Sequence, residues 1–122
     1  MRDDDATQLN TISASYVTSW FTAASGANDA LMLAINIGPK LVLLTMHTAG
    51  NKQYYQDEVL ANIPSDYTPM WNVRSVLKGY NSYCVSIEVS AANSNIIIWG
   101  AGSSTVSSGN GRLVGQILYI RV

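Results

Sequence analysis

At 122 residues the chain has room for one hydrophobic core and no second one. Charged side chains make up only 12% of it, against about a quarter in ordinary globular proteins, and Ser, Thr and Asn supply 32 positions in their place. Seven Lys/Arg against eight Asp/Glu leave a net charge of −1, which offers no positive footprint to a nucleic-acid backbone or an anionic membrane.

In chain order, residues 1 to 14 are polar and carry the triplet Asp3-Asp4-Asp5, and read as a linker or frayed end. The start lacks the basic and then apolar pattern of a secretory signal, so export is expected inside another assembly or on cell lysis. From Ser15 to Val122 short β segments alternate with Gly, Pro, Asn and Ser clusters, giving one β domain. Residues 17 to 34 are rich in Ala, and a short helix there is the main alternative to strand. Leu31–Ile37 and Leu41–His47 read as two strands joined by a tight turn at Gly38-Pro39. Further strands are expected at Tyr54–Leu60, Trp71–Leu77, Tyr83–Ser90, Asn95–Trp99 and Leu113–Val122, with a tight turn at Asn93-Ser94-Asn95. The Gly/Ser stretch from Gly100 to Gly111 reads as a loop. No segment sustains a 3.6-residue apolar period, and no apolar run approaches the roughly 18 residues of a membrane-spanning helix. About seven strands without interleaved helices indicate an all-β sandwich or barrel.

Three of these strands are apolar on both faces. Leu31, Leu33, Ile35 and Ile37 oppose Met32 and Ala34; Leu41 and Leu43 oppose Val42, Leu44 and Met46; Leu118 and Ile120 oppose Ile117 and Tyr119. A domain this small cannot bury both faces of three strands internally, so a homo-oligomer is expected, with a small closed barrel packed by its own loops as the alternative.

Catalytic constellations are missing from the sequence. His47 is the single histidine and there is no Gly-x-Ser-x-Gly elbow. Asp57 and Glu58, as neighbours in a strand, would face opposite ways and could not act as a glycosidase pair. Gly109-Asn110-Gly111 lacks the Lys and Ser/Thr of a phosphate loop. The one cysteine, Cys84, has no disulfide partner and is expected as a small buried thiol; no metal or cofactor is expected.

Features suited to binding are more abundant. The face of Trp71–Lys78 that carries Asn72, Arg74 and Lys78 is a candidate ligand surface, opposite an apolar face with Val73 and Leu77. Sugar rings stack on aromatic faces and place hydroxyls against amides, carboxylates and Arg forks. On that chemistry His47, Tyr55, Asp57, Trp71, Asn72 and Arg74 are the candidate ligand residues. For single side chains the structural roles weigh more: Trp71 and Trp99 are expected in the core, and Arg74 is expected to pair with Asp57 or Glu88.

The segment Ile63-Pro64-Ser65-Asp66-Tyr67-Thr68-Pro69 resembles the Leu-Pro-x-x-Tyr-x-Pro signature of the C-terminal head domains of bacteriophage receptor-binding proteins and tail fibres. The order that follows is similar too: Val73–Leu77, then Tyr83–Ser90 turning through Asn93-Ser94-Asn95 into Ile96–Trp99, and a closing Gln116–Val122. The likeness runs over about residues 30 to 122, with Asp66 and an Asn turn where the family often has Gly. It implies an antiparallel, jelly-roll-like β-sandwich head, homotrimeric, on a virion tail tip outside the cell. Such a head would bind a bacterial surface saccharide and join other tail or baseplate proteins. Independently of the family, Pro64 and Pro69 fix the two ends of a corner, and Tyr67 can bury its ring while its hydroxyl holds the loop.

Overall fold

The computed structural model describes residues 11–22, 29–50, 54–79, 84–100 and 112–122. These form eight strands: β1 (Ile12–Tyr16), β2 (Leu31–Ile37), β3 (Leu41–His47), β4 (Val59–Asn62), β5 (Val73–Gly79), β6 (Cys84–Ser90), β7 (Asn95–Gly100) and β8 (Leu113–Ile120). All pair antiparallel in one curled sheet of order β1-β2-β3-β8-β5-β6-β7-β4. Two single 3₁₀ turns, Thr18–Trp20 and Ser65–Tyr67, are the helical content of the described residues. No helix among them is long and apolar enough to cross a membrane.

The curl has two causes. β5 and β8 pair only at Lys78–Val114 and Gly79–Leu113 and then diverge. Gly115 permits the crossing, because a Cβ there would lie 2.7 Å from Leu77 Cδ2 and 3.2 Å from the Val76 carbonyl oxygen. On the far side Phe21, just after β1, bridges to Ala61 of β4, and Thr22 donates its N–H to Leu60. The two ends of the sheet are thereby brought together around a shared interior.

Period-2 alternation decides which side chains fill that interior. Met32 and Ala34, Val42, Leu44 and Met46, Leu113, Ile117 and Tyr119 point inward from one half. Leu77, then Val85, Ile87 and Val89, then Ile96 and Ile98, and Leu60 point inward from the other. The opposite faces of β2, β3 and β8 remain apolar and open, as their patterns require. Cross-strand rows Ala14–Ile35–Leu43–Leu118 and Ile12–Ile37–Leu41–Ile120 run across the outer surface of β1, β2, β3 and β8.

Strands β2 and β3 occupy the expected residues, and Gly38 at φ 63° supplies the left-handed position of their turn. Other boundaries differ. Ile12–Tyr16 is a strand paired along its whole length to β2, so the boundary expected at residue 15 runs through an element; residues 1–10 lie outside the described set. Tyr54–Glu58 is not strand: Tyr54 is buried with its hydroxyl on Thr48 Oγ1 at 2.6 Å, and Asp57 reverses the chain at φ 66°. Asp57 and Glu58 are thus turn neighbours rather than opposite faces of a strand. The Ala-rich stretch yields one 3₁₀ turn, and its residues 23–28 are outside the described set, as is the Gly/Ser stretch at 101–111.

Cys84 is exposed rather than buried. Val85, Ile87 and Val89 claim the interior of β6, and alternation then turns Cys84, Ser86 and Glu88 outward.

The Pro64–Pro69 corner behaves as its residues suggest. Tyr67 donates its N–H to the Pro64 carbonyl at 2.8 Å, and its hydroxyl accepts from Asn36 Nδ2 at 3.1 Å. Its ring meets Trp20 edge-on at 4.9 Å and packs against the core. Tyr119 donates its hydroxyl to the Tyr67 carbonyl at 2.8 Å, and Pro69 bridges to Arg121 after β8. The corner therefore ties β2, β8 and the chain end together.

Candidate functional site

The arrangement best suited to a ligand lies where β5, β6 and β7 present their outer faces side by side. Arg74 on β5 stands opposite Glu88 on β6, and its Nε donates to Glu88 Oε2 at 2.9 Å. The same guanidinium lies 3.5 Å from the centre of the Trp99 ring on β7, within the range of a strong cation–π contact. A bulge in the β6–β7 pairing between Ser86 and Ile87 sets the register of β7 at this point. Glu88 is buried while Arg74 is about half exposed, so the pair fixes the fork in place and leaves donors facing solvent.

The turn at Tyr55–Glu58 attaches to the same end of β7. Asp57 donates its N–H to Ile98 at 2.8 Å, Ile98 returns one to Glu58 at 2.9 Å, and Gln56 Nε2 donates to the Trp99 carbonyl. Tyr55 is exposed, and its N–H meets Glu58 Oε1 at 3.2 Å. Arg74 of β5 and the turn that carries Tyr55 and Asp57 thus both abut the Ile98–Trp99 segment of β7.

A cleft of about 500 Å³ opens beside Arg74, where β5 and β8 diverge. Its polar side holds Arg74, Ser75 and Gln116; Leu41, Leu43 and Leu118 make its apolar side. Ser75 Oγ spans the split by donating to the Gln116 carbonyl at 2.8 Å. An apolar wall facing a guanidinium, an amide and a hydroxyl is the type of lining that holds a polar ring compound.

The remaining candidates are placed otherwise. Asn72 shares the Arg74 face, but its Oδ1 accepts from Ala91 N at 2.9 Å and secures the β6–β7 turn to the start of β5. Trp71 precedes β5 and is 57% exposed, so it is not a core residue. Trp99 is likewise 41% exposed, because Ile96 and Ile98 take the inward positions of β7. Both tryptophans therefore correct the expectation of core burial: Trp99 by strand parity, and Trp71 because the strand begins only at Val73, two residues after it.

His47 stands apart, four residues along β3 from Leu43, about 13 Å away. Its Nδ1 is 2.6 Å from Arg112 Nη1; because an Arg can only donate, Nδ1 is the acceptor and the ring proton sits on Nε2. Arg112 also holds the Asp29 carboxylate and its carbonyl. His47 thus belongs to a structural node at the other end of the sheet.

Among the described residues no cluster of three His, Cys, Asp or Glu could act as a metal site. Trp99, Ser75 and Gln116 were the residues missed by sequence reasoning. Trp99 was findable from the Ile96/Ile98 alternation; Ser75 and Gln116 were not, since their meeting depends on how two distant strands diverge. No protein-family model matches this chain, and no significant match is found among curated proteins.

Proposed function

We propose that this chain is a non-catalytic adhesion module, the head of a phage tail fibre or receptor-binding protein, that recognises a saccharide on the bacterial surface. The fold would be a jelly-roll-like sandwich assembled as a homotrimer at the virion tail tip, next to other tail or baseplate proteins. The observation that carries the reading is the Arg74–Trp99 stack beside the cleft. A half-exposed indole, a guanidinium fixed by Glu88 and the Gln116 amide offer a sugar a face to lie on and donors for its hydroxyls, and the Ser75 oxygen, its proton held by the Gln116 carbonyl, is left to accept. The charge-poor surface suits a neutral glycan, and several weak sites on one particle gain strength through avidity.

The test is binding of the purified protein to a glycan array and to bacterial cells, beside Arg74→Ala, Trp99→Ala and Tyr55→Ala. Loss of at least about tenfold in affinity for the first two, near 1.4 kcal/mol, is expected. Unchanged cell binding by Arg74→Ala and Tyr55→Ala would remove this site.

A purely structural trimerisation or capping domain is the second reading, favoured by the apolar outer face of β1, β2, β3 and β8. It expects stable assemblies and no glycan binding.

A further inference from the structure

Arg112, just before β8, is held from two sides. Its Nη1 donates to the Asp29 carbonyl at 3.0 Å and to His47 Nδ1 at 2.6 Å, and its Nη2 donates to the Asp29 carboxylate. A guanidinium carries five N–H donors, and these contacts use three of them. The Nε–H and the second Nη2 proton have no acceptor among the described residues. With Asp29 spanning the Nη1–Nη2 edge, the two free donors lie along the Nε–Nη2 edge as a parallel fork, the geometry that takes both oxygens of a carboxylate. Asp29 in turn accepts from the Gly50 N–H at 3.2 Å, so the fork is set in place before any ligand arrives.

Arg112 lines a cleft of about 350 Å³ together with Lys78, Gly79 and Val114. Strand register assembles it. His47, Val114 and Lys78 are direct neighbours across β3, β8 and β5, and alternation puts all three on the outer face. Lys78 is exposed and forms no ion pair among the described residues; its neighbours in register are Val114 and Cys84. Two cations against the one carboxylate of Asp29 leave this cleft a single positive charge, and the exposed Val114 gives it an apolar floor.

We propose that this cleft is a second binding site, for a small organic carboxylate such as a hexuronate, with Arg112 gripping the carboxylate and Lys78 supplying the balancing charge. One negative charge matches the excess in the cleft, whereas a phosphate monoester, near −2, exceeds it and presses on Asp29. The site is separate from the Arg74 cleft, since Lys78 stands four residues along β5 from Arg74, about 13 Å away. Either can fail without the other.

The experiment is a titration of the full, isotope-labelled chain with sodium glucuronate, followed by the magnetic resonance signals of the Arg112 Nε–H and the Gly79 and Val114 amides. All three are expected to move on one saturation curve, and glucose, which lacks the carboxylate, is expected to move none of them. Lys78→Gln is expected to weaken binding about three- to fivefold, the loss of one exposed charge contact. Val114→Glu, which sets a carboxylate into the floor, is expected to abolish it. Both positions are exposed, and unchanged far-ultraviolet dichroism checks that the variants fold. Trp99→Ala, which removes the stacking face of the other site, is expected to bind glucuronate as the wild type does. The proposal is overturned if glucuronate moves none of these signals, if glucose moves them equally, or if either Lys78→Gln or Val114→Glu keeps wild-type affinity. Equal binding of dimethyl phosphate, singly charged but not planar, overturns the carboxylate assignment. A parallel loss in Trp99→Ala would show one site rather than two and would overturn it as well.

Discussion

The guanidinium carbon of Arg74 lies 3.5 Å from the centre of the Trp99 ring while its Nε holds the buried carboxylate of Glu88 at 2.9 Å, so one side chain is fixed by two neighbouring strands. Arg74→Ala would strand the Glu88 charge and is expected to destabilise the fold by about 1–3 kcal/mol in urea unfolding. Arg74→Ala with Glu88→Ala should cost less than the two separate losses combined, because the stranded charge is gone as well. Equal and additive losses would show that the pair is not coupled.

Gly115 is the contact on which the bend between β8 and β5 depends. A methyl at this position meets Leu77 Cδ2 at 2.7 Å and backbone atoms of β5 at 3.2 and 3.3 Å, of which only the side chain can move. Gly115→Ala is expected to cost about 1–3 kcal/mol of unfolding free energy, and Gly115→Val to prevent folding. A wild-type midpoint for Gly115→Ala would mean that the strands separate freely here.

Tyr54 links stability to alkaline pH. Burial outweighs its hydrogen bond to Thr48 and raises the phenol from 10.0 to about 12. A raised folded pKa leaves stability intact below pH 10, where both states are protonated. Between pH 10 and 12 the unfolded chain ionises first, and about 2–3 kcal/mol is lost. Burial of Tyr119 acts in the same direction. Denaturant melts across this window should show the decline, and Tyr54→Phe should flatten part of it.

Cys84 gives a direct check of strand parity in β6. Its thiol is exposed, so a disulfide reagent should modify one cysteine per chain in the native protein. Modification that waits for denaturant would place Cys84 inside and Val85 outside.

At the β2–β3 turn Gly38 holds φ 63° and donates its N–H to Thr11 at 2.8 Å. Gly38→Ala is expected to cost about 1 kcal/mol and Gly38→Asn distinctly less, because Asn tolerates the left-handed region. Thermal melts of the two variants would rank them.

Much of the fold was legible because β2, β3 and β8 pair strong β-formers with clear turn residues. β1 was not: Ile12, Ala14 and Tyr16 alternate over only five residues beside an acidic stretch, and that signal becomes visible only through pairing with β2. Tyr54–Glu58 misled for the opposite reason, since Tyr and Val around it have high strand propensity. A buried phenol bonded to Thr48 and a left-handed Asp57 took precedence over that local preference. Of the candidate ligand residues, Arg74 and the turn carrying Tyr55 and Asp57 abut β7, while Asn72 and His47 are tied to structural partners.

By itself the sequence determined the all-β class, the tight turns and the doubly apolar strands, since these depend on a two-residue period and on which residues tolerate a turn. It also narrowed the partner of Arg74 to two carboxylates. Only the tertiary structure decided between them, left both tryptophans partly in solvent and opened a cleft beside Arg74, Ser75 and Gln116. Those outcomes depend on strand order and on the divergence of β5 from β8, and local residue spacing contains no information about which distant strands become neighbours.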